Sequence, residues 1–236
     1  MAVTFSSAGT TASGVAGSIT VSYPITTTNG QMLLLCVSHK FSRHVLTTPA
    51  GWTQLASMSG GIGAEVNDAG PLTTTVLYQV ANGTEGGTSV VLNTGGDVIT
   101  ARIYSFNKPV GSGWDIVANT AVDNTPGQYT VTHGNLGAKT GDLLFHSWAV
   151  NTNISMFSAS FTMAGATLTR SNNAAGGTTS GSNLYVVANR FTINGTGTGD
   201  FVYVADAASE TADGPTGPAV FIRMRDVVSK RVFIIS

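Results

Sequence analysis

The chain has 236 residues, enough for one large β domain or two small ones and for a sizeable core. Only 10% of residues are charged and the net charge is −1, against roughly 25% charged in an average globular chain. With 11 basic and 12 acidic residues, composition excludes an overall nucleic-acid footprint, and the 42% hydrophobic fraction excludes a disordered chain.

In chain order, Met1 to Phe5 has neither a basic region nor a long apolar stretch, so no signal peptide is expected, and synthesis in a cytoplasm follows. No apolar run is long enough for a membrane helix. Ile19, Val21 and Tyr23 alternate with polar residues, the pattern of a half-buried strand. The run Met32 to Val37 is apolar throughout and holds the single cysteine, Cys36, read as a small buried hydrophobe. His39 and His44 flank Arg43 at a strand end, in an expected exposed loop. Pro49-Ala50-Gly51-Trp52 reads as a tight turn with an anchoring aromatic. Val76, Tyr78 and Val80 alternate again. Asn82-Gly83 is a hairpin signal, and Ile99 to Phe106 reads as the closing strand of a first unit, residues 1–107.

A connector follows, residues 108–115, rich in Pro and Gly. Trp114 just beyond its glycines is the best candidate for an exposed, glycan-stacking ring. The second unit, residues 116–226, carries Tyr129 and Val131 in alternation, an apolar strand with a buried Trp148, and a Gly-rich Ser171 to Ser182 loop. Phe201 to Val204 is apolar on both faces and is expected between two layers. Val220 to Met224 closes the unit. No stretch has helical periodicity with caps, so an all-β fold with little or no helix is expected.

The two units echo each other. Leu77 to Asn82 returns as Leu184 to Asn189 with five of six positions identical. Thr20-Val21-Ser22 matches Thr130-Val131-Thr132, Gly30 to Leu33 matches Gly141 to Leu144, and Thr48 to Thr53 matches Thr162 to Thr167. Ala166 stands where Trp52 does, so that anchor is missing from the second unit. Each unit can form its own sandwich, or strands of both can interleave in one.

Chemistry-bearing residues are sparse. The three glutamates, Glu65, Glu85 and Glu210, sit in turn-like surroundings, and solvated loops account for them better than a glycosidase pair. His39, His44, His133 and His146 lack metal-ligand spacing, and one cysteine excludes a Cys-rich zinc site. Ser112 lies in no nucleophile elbow. No catalytic, cofactor or metal site is expected. Arg223, Arg225, Lys230 and Arg231 concentrate basic charge near the end, beside Phe233. A polar strand face with a solvated tail explains them. Alternatively residues 227–236 form a docking strand that pairs with a neighbour's sheet edge while the bases meet acidic groups.

Gly30 to Leu35, then Thr48-Pro49-Ala50-Gly51-Trp52-Thr53, then Leu77 to Ala81, then Ile103 to Phe106, in that order, resemble a β-sandwich domain of tailed-bacteriophage virion proteins, both head decorations and minor tail or fibre components. The resemblance covers nearly the whole chain, and its motifs are structural, so no catalytic residue carries over. It implies a jelly-roll-like antiparallel β-sandwich built from two sequence-related halves. The implied function is a capsid decoration or cement protein on the virion surface, partnered by the major capsid or tail proteins and by further copies of itself, without nucleic acid or membrane. A tail-tip or tail-fibre module binding a host surface glycan is the first alternative, and a secreted glycan-degrading enzyme the second.

Overall fold

The computed structural model describes residues 2–15, 18–40, 45–62, 71–95, 98–125, 129–150, 157–177, 184–207 and 216–228. All regular structure among them is β. The first half contributes β1 (Thr4–Ala8), β2 (Ala12–Gly14), β3 (Ser18–Ser22), β4 (Met32–Lys40), β5 (Thr53–Gly60), β6 (Leu72–Val80), β7 (Ser89–Asn93) and β8 (Ile99–Asn107). The second contributes β9 (Ser112–Asp123), β10 (Tyr129–His133), β11 (Leu143–Val150), β12 (Phe157–Met163), β13 (Ala166–Gly177), β14 (Tyr185–Gly195), β15 (Phe201–Ala207) and β16 (Gly217–Val228).

Among the described residues no sheet takes strands from both halves. The first half forms a large sheet, β1-β8-β4-β6-β5, with β2 also on β8, and a small sheet, β3-β7. The second forms a large sheet, β9-β16-β11-β14-β13, and a small one, β10-β15-β12. The two large sheets thus have corresponding strand orders, and the small sheets differ by the added β12.

The sheets stack in four layers: small, large, large, small. Side chains on a strand alternate between faces, and each central strand feeds two cores. Leu33, Leu35 and Val37 of β4 join Ile19, Val21, Leu77 and Ile103 inside the first sandwich. Met32, Leu34 and Cys36 face the other way and meet Leu143, Phe145, Ile222 and Met224 of the second large sheet. Leu144 and Trp148 of β11 join Phe191, Phe201, Tyr203 and Phe221 inside the second sandwich. All nine residues of β4 are therefore buried, which is why its first six, Met32 to Val37, are apolar without alternation.

β4 and β11 run in the same direction across the central layer. Phe106, opposite Met32 at the start of β4, packs on Phe145 at 5.8 Å, and further along Cys36 hydrogen-bonds Ser147. The connections 23–31, 81–88, 134–142 and 196–200 consequently gather at one end of the stack, together with the link 108–111 between the halves.

Several expectations are corrected. The connector is shorter than residues 108–115, because β9 starts at Ser112 and already contains Trp114. The second unit does not stop at residue 226, because β16 continues to Val228. Residues 171–177 are strand rather than loop, and 178–182 lie outside the described residues. β15 lies in an outer sheet, with Phe201 and Tyr203 buried and Val202 and Val204 only half-buried. The Leu-Tyr-x-Val-Ala-Asn echo is not a structural equivalence. Leu33 pairs with Gln79 and Leu144 with Phe191. Matching Leu33 to Leu144 therefore sets Leu77 against Asn189, five residues from Leu184. An odd slip turns every side chain to the opposite face.

Candidate functional site

The gathered-loop end is built from rigid polar turns. Glu85 is buried there, and its carboxylate accepts the Asn82 and Gly83 amides at 2.8 and 3.0 Å. It closes its own loop and is neither solvated nor aimed at a substrate. Asn135 accepts the Gly137 amide and donates to the Gly197 carbonyl, while its own amide donates to Asp200. Backbone groups that a surface loop would leave to water are thus tied down by side chains.

This rigid end carries apolar side chains in solvent. Ile25 is 90% exposed, Val110 fully exposed, and Val80 and Val227 are also exposed. Beside them lies a cleft of about 340 Å³ formed by residues 28–31 and 107–111. Lys108 donates to the Ser112 carbonyl and Ser112 Oγ to the Pro109 carbonyl, which fixes the link.

The expected glycan-stacking ring is not free. Trp114 packs half-buried against the central core, and its indole N–H donates to the Gly30 carbonyl at 2.9 Å. It ties the start of β9 to the loop before β4. The other two tryptophans are core residues. Trp52 stacks on Tyr23 and donates to its hydroxyl at 3.1 Å. Trp148 stacks on Tyr129 at 4.4 Å. The second sandwich thus has its indole anchor on β11, although Ala166 follows the turn that Trp52 follows in the first. Both turns keep a glycine at positive φ, Gly51 at 81° and Gly165 at 79°, a conformation that costs other residues.

The basic cluster divides. Arg223 is 5% exposed and forms a bidentate pair with Asp115, at 2.9 and 3.2 Å. Arg225 pairs with Asp142 through two 2.7 Å bonds and also donates to the Gly137 carbonyl. Asp142 beside it raises the Arg225 pKa further. Both guanidiniums therefore serve carboxylates of this chain, where the docking reading had them meeting a partner's. Lys230, Arg231 and Phe233 lie outside the described residues, as do Glu65, Glu210 and His44.

The histidines depart most from expectation. His39 is buried in β4 rather than exposed in a loop. His133 and His146 are completely buried in the second sandwich, ring centroids 5.2 Å apart, among Phe201, Phe221 and Tyr203. None of their four ring nitrogens makes a hydrogen bond of normal geometry. Burial lowers the His133 pKa to about 4, the Asn119 backbone offsetting only part of the effect. Burial, then the neighbouring His133, holds the His146 pKa well below its usual value. Both rings are neutral at physiological pH. Among the described residues no group of three or more His, Cys, Asp or Glu side chains is placed to hold a metal. The signal for this pair was present in sequence: His133 is in phase with inward Tyr129 and Val131, and His146 stands in the apolar Leu143 to Trp148 strand.

Comparison with protein-family profiles, with curated protein sequences and with solved structures returns no match.

Proposed function

We propose that this chain is a non-enzymatic structural protein of a tailed-bacteriophage virion, a capsid decoration protein that seats on the head surface through its gathered-loop end. The observation that carries this reading is the exposure at this end of Ile25 and Val110, on loops that internal hydrogen bonds hold, and of Val80 and Val227 at strand ends. Solvated apolar side chains on a preorganised frame are what an interface needs, because little entropy is lost on docking. The low charge of the chain and the motif resemblance support the same reading. β16 also ends at this face, with Val228.

The test is quantitative mass spectrometry of purified particles, combined with addition of the protein to heads that lack it. Hundreds of copies per head are expected, and Val110→Asp with Ile25→Asp should abolish attachment without lowering the melting temperature. A handful of copies confined to the tail would overturn the proposal in favour of a receptor-binding module.

A further inference from the structure

At the opposite edge of the central layer from β5 and β9, strand β1 of the first half meets β13 and β14 of the second. Arg190 of β14 lies in this seam, its guanidinium stacked on the Phe5 ring with the carbon 3.5 Å from the ring centroid. Its Nε is buried and has no hydrogen-bond partner. The described carboxylates with assigned partners are spent elsewhere: Asp115 on Arg223, Asp142 on Arg225, Asp123 on the Thr125 and Thr130 amides, Asp200 on Asn135, and Glu85 on its own loop. Burial lowers the Arg190 pKa, as expected for a partly desolvated cation without a counter-ion.

The guanidinium lines an open cleft of about 150 Å³, space for roughly five water molecules. Thr4, Ser171 and Thr192 line it beside Arg190, together with the apolar Val3 and Leu143. A planar cation with no carboxylate partner of its own selects a planar oxyanion. Three hydroxyl-bearing residues around the same space suit a ligand that carries hydroxyls of its own, and the volume limits that ligand to a single small ring.

We propose that the seam cleft binds a sugar acid, one uronic-acid-sized unit whose carboxylate pairs with Arg190 and whose ring hydroxyls meet Thr4, Ser171 and Thr192. The site is independent of the virion reading, because it lies away from the gathered-loop patch and its test needs no particle.

The probe is sodium glucuronate, titrated into the full chain and followed by nitrogen-15 NMR of the Arg190 Nε–H and the Thr192 amide. Saturable shifts at both are expected, with none on adding glucose at the same concentration. Arg190→Gln should weaken binding by about tenfold or more, the loss of one charge-assisted contact, with an unchanged near-ultraviolet dichroism spectrum. Absence of saturation in the wild-type chain, or equal binding by a folded Arg190→Gln variant, would overturn the proposal. So would tighter binding of N-acetylglutamate than of glucuronate, which would assign the cleft to an acidic protein side chain. Should Arg190→Gln fail to fold, the wild-type titration with its glucose and N-acetylglutamate arms decides.

Discussion

His146 occupies the place in β11 that Leu35 occupies in β4, since both strands pair with their neighbours in the same order. An imidazole with two unpaired nitrogens replaces a leucine there, and His133 faces it. Leaving a buried polar group unsatisfied costs about 1–3 kcal/mol. Above pH 6.5 both rings are neutral whether the chain is folded or not, and they add no pH dependence. Below that pH the unfolded chain takes up protons that the folded core refuses, so stability falls as the medium is acidified. Two such sites give a slope of up to about 2.7 kcal/mol per pH unit. The His133 share levels off near pH 4, and His146, whose pKa burial also holds well below its usual value, adds to the same loss. Urea unfolding between pH 7 and 4 should show this loss. His146→Leu should roughly halve its slope and raise stability at pH 7, and an unchanged slope would mean that the pair is not its source. Cys36 is inert by the same logic, because burial pushes its thiol up to about 12.

At the level of elements, strand existence was legible in the sequence and strand placement was not. Alternation at Ile19, Val21 and Tyr23 and at Tyr129 and Val131 marks inward faces that the sheets use. The uninterrupted run of β4 marks a strand covered on both sides. Nothing local in Phe201 to Val204 distinguishes a central layer from an outer sheet whose second face is only half covered, and that segment was misplaced for this reason. The most conspicuous echo misled because a short apolar-polar pattern fits any strand, whereas register is set by pairing across the sheet. Trp114 was misread because its partner, the Gly30 carbonyl, is 84 residues away. The loop-end patch was invisible for the same reason, since its four apolar residues come from four separate segments. Packing between elements makes its own prediction. A Cβ on Gly60, at the end of β5, would lie 2.1 Å from Cγ2 of Val122 on β9, and a β-branched side chain has little freedom to yield. Gly60→Ala should therefore cost about 1–3 kcal/mol. Most of that should return in the double variant with Val122→Ala, measured by thermal or denaturant unfolding.

For the whole molecule, the central layer decides how the halves behave. Met32, Leu34, Cys36, Tyr104 and Phe106 are buried only because the second large sheet covers them. A chain of residues 1–107 alone would present this apolar face to water, far beyond what a monomer tolerates. Separately expressed halves should therefore self-associate or aggregate, and mixed in equal amounts they should recover a one-to-one complex by size-exclusion chromatography with light scattering. Two stable, monomeric halves would refute the coupling. The intact chain should likewise unfold in one transition, with tryptophan fluorescence and far-ultraviolet dichroism coincident. The common direction of β4 and β11 has a different consequence. It sets two loop sets side by side on a fixed spacing in one chain, like two heads. On a surface that repeats a determinant at that spacing, engagement of the first head holds the second at high effective concentration. Such coupling raises avidity by roughly 10²–10⁴ without any new contact, so each head can bind weakly while the chain as a whole stays in place.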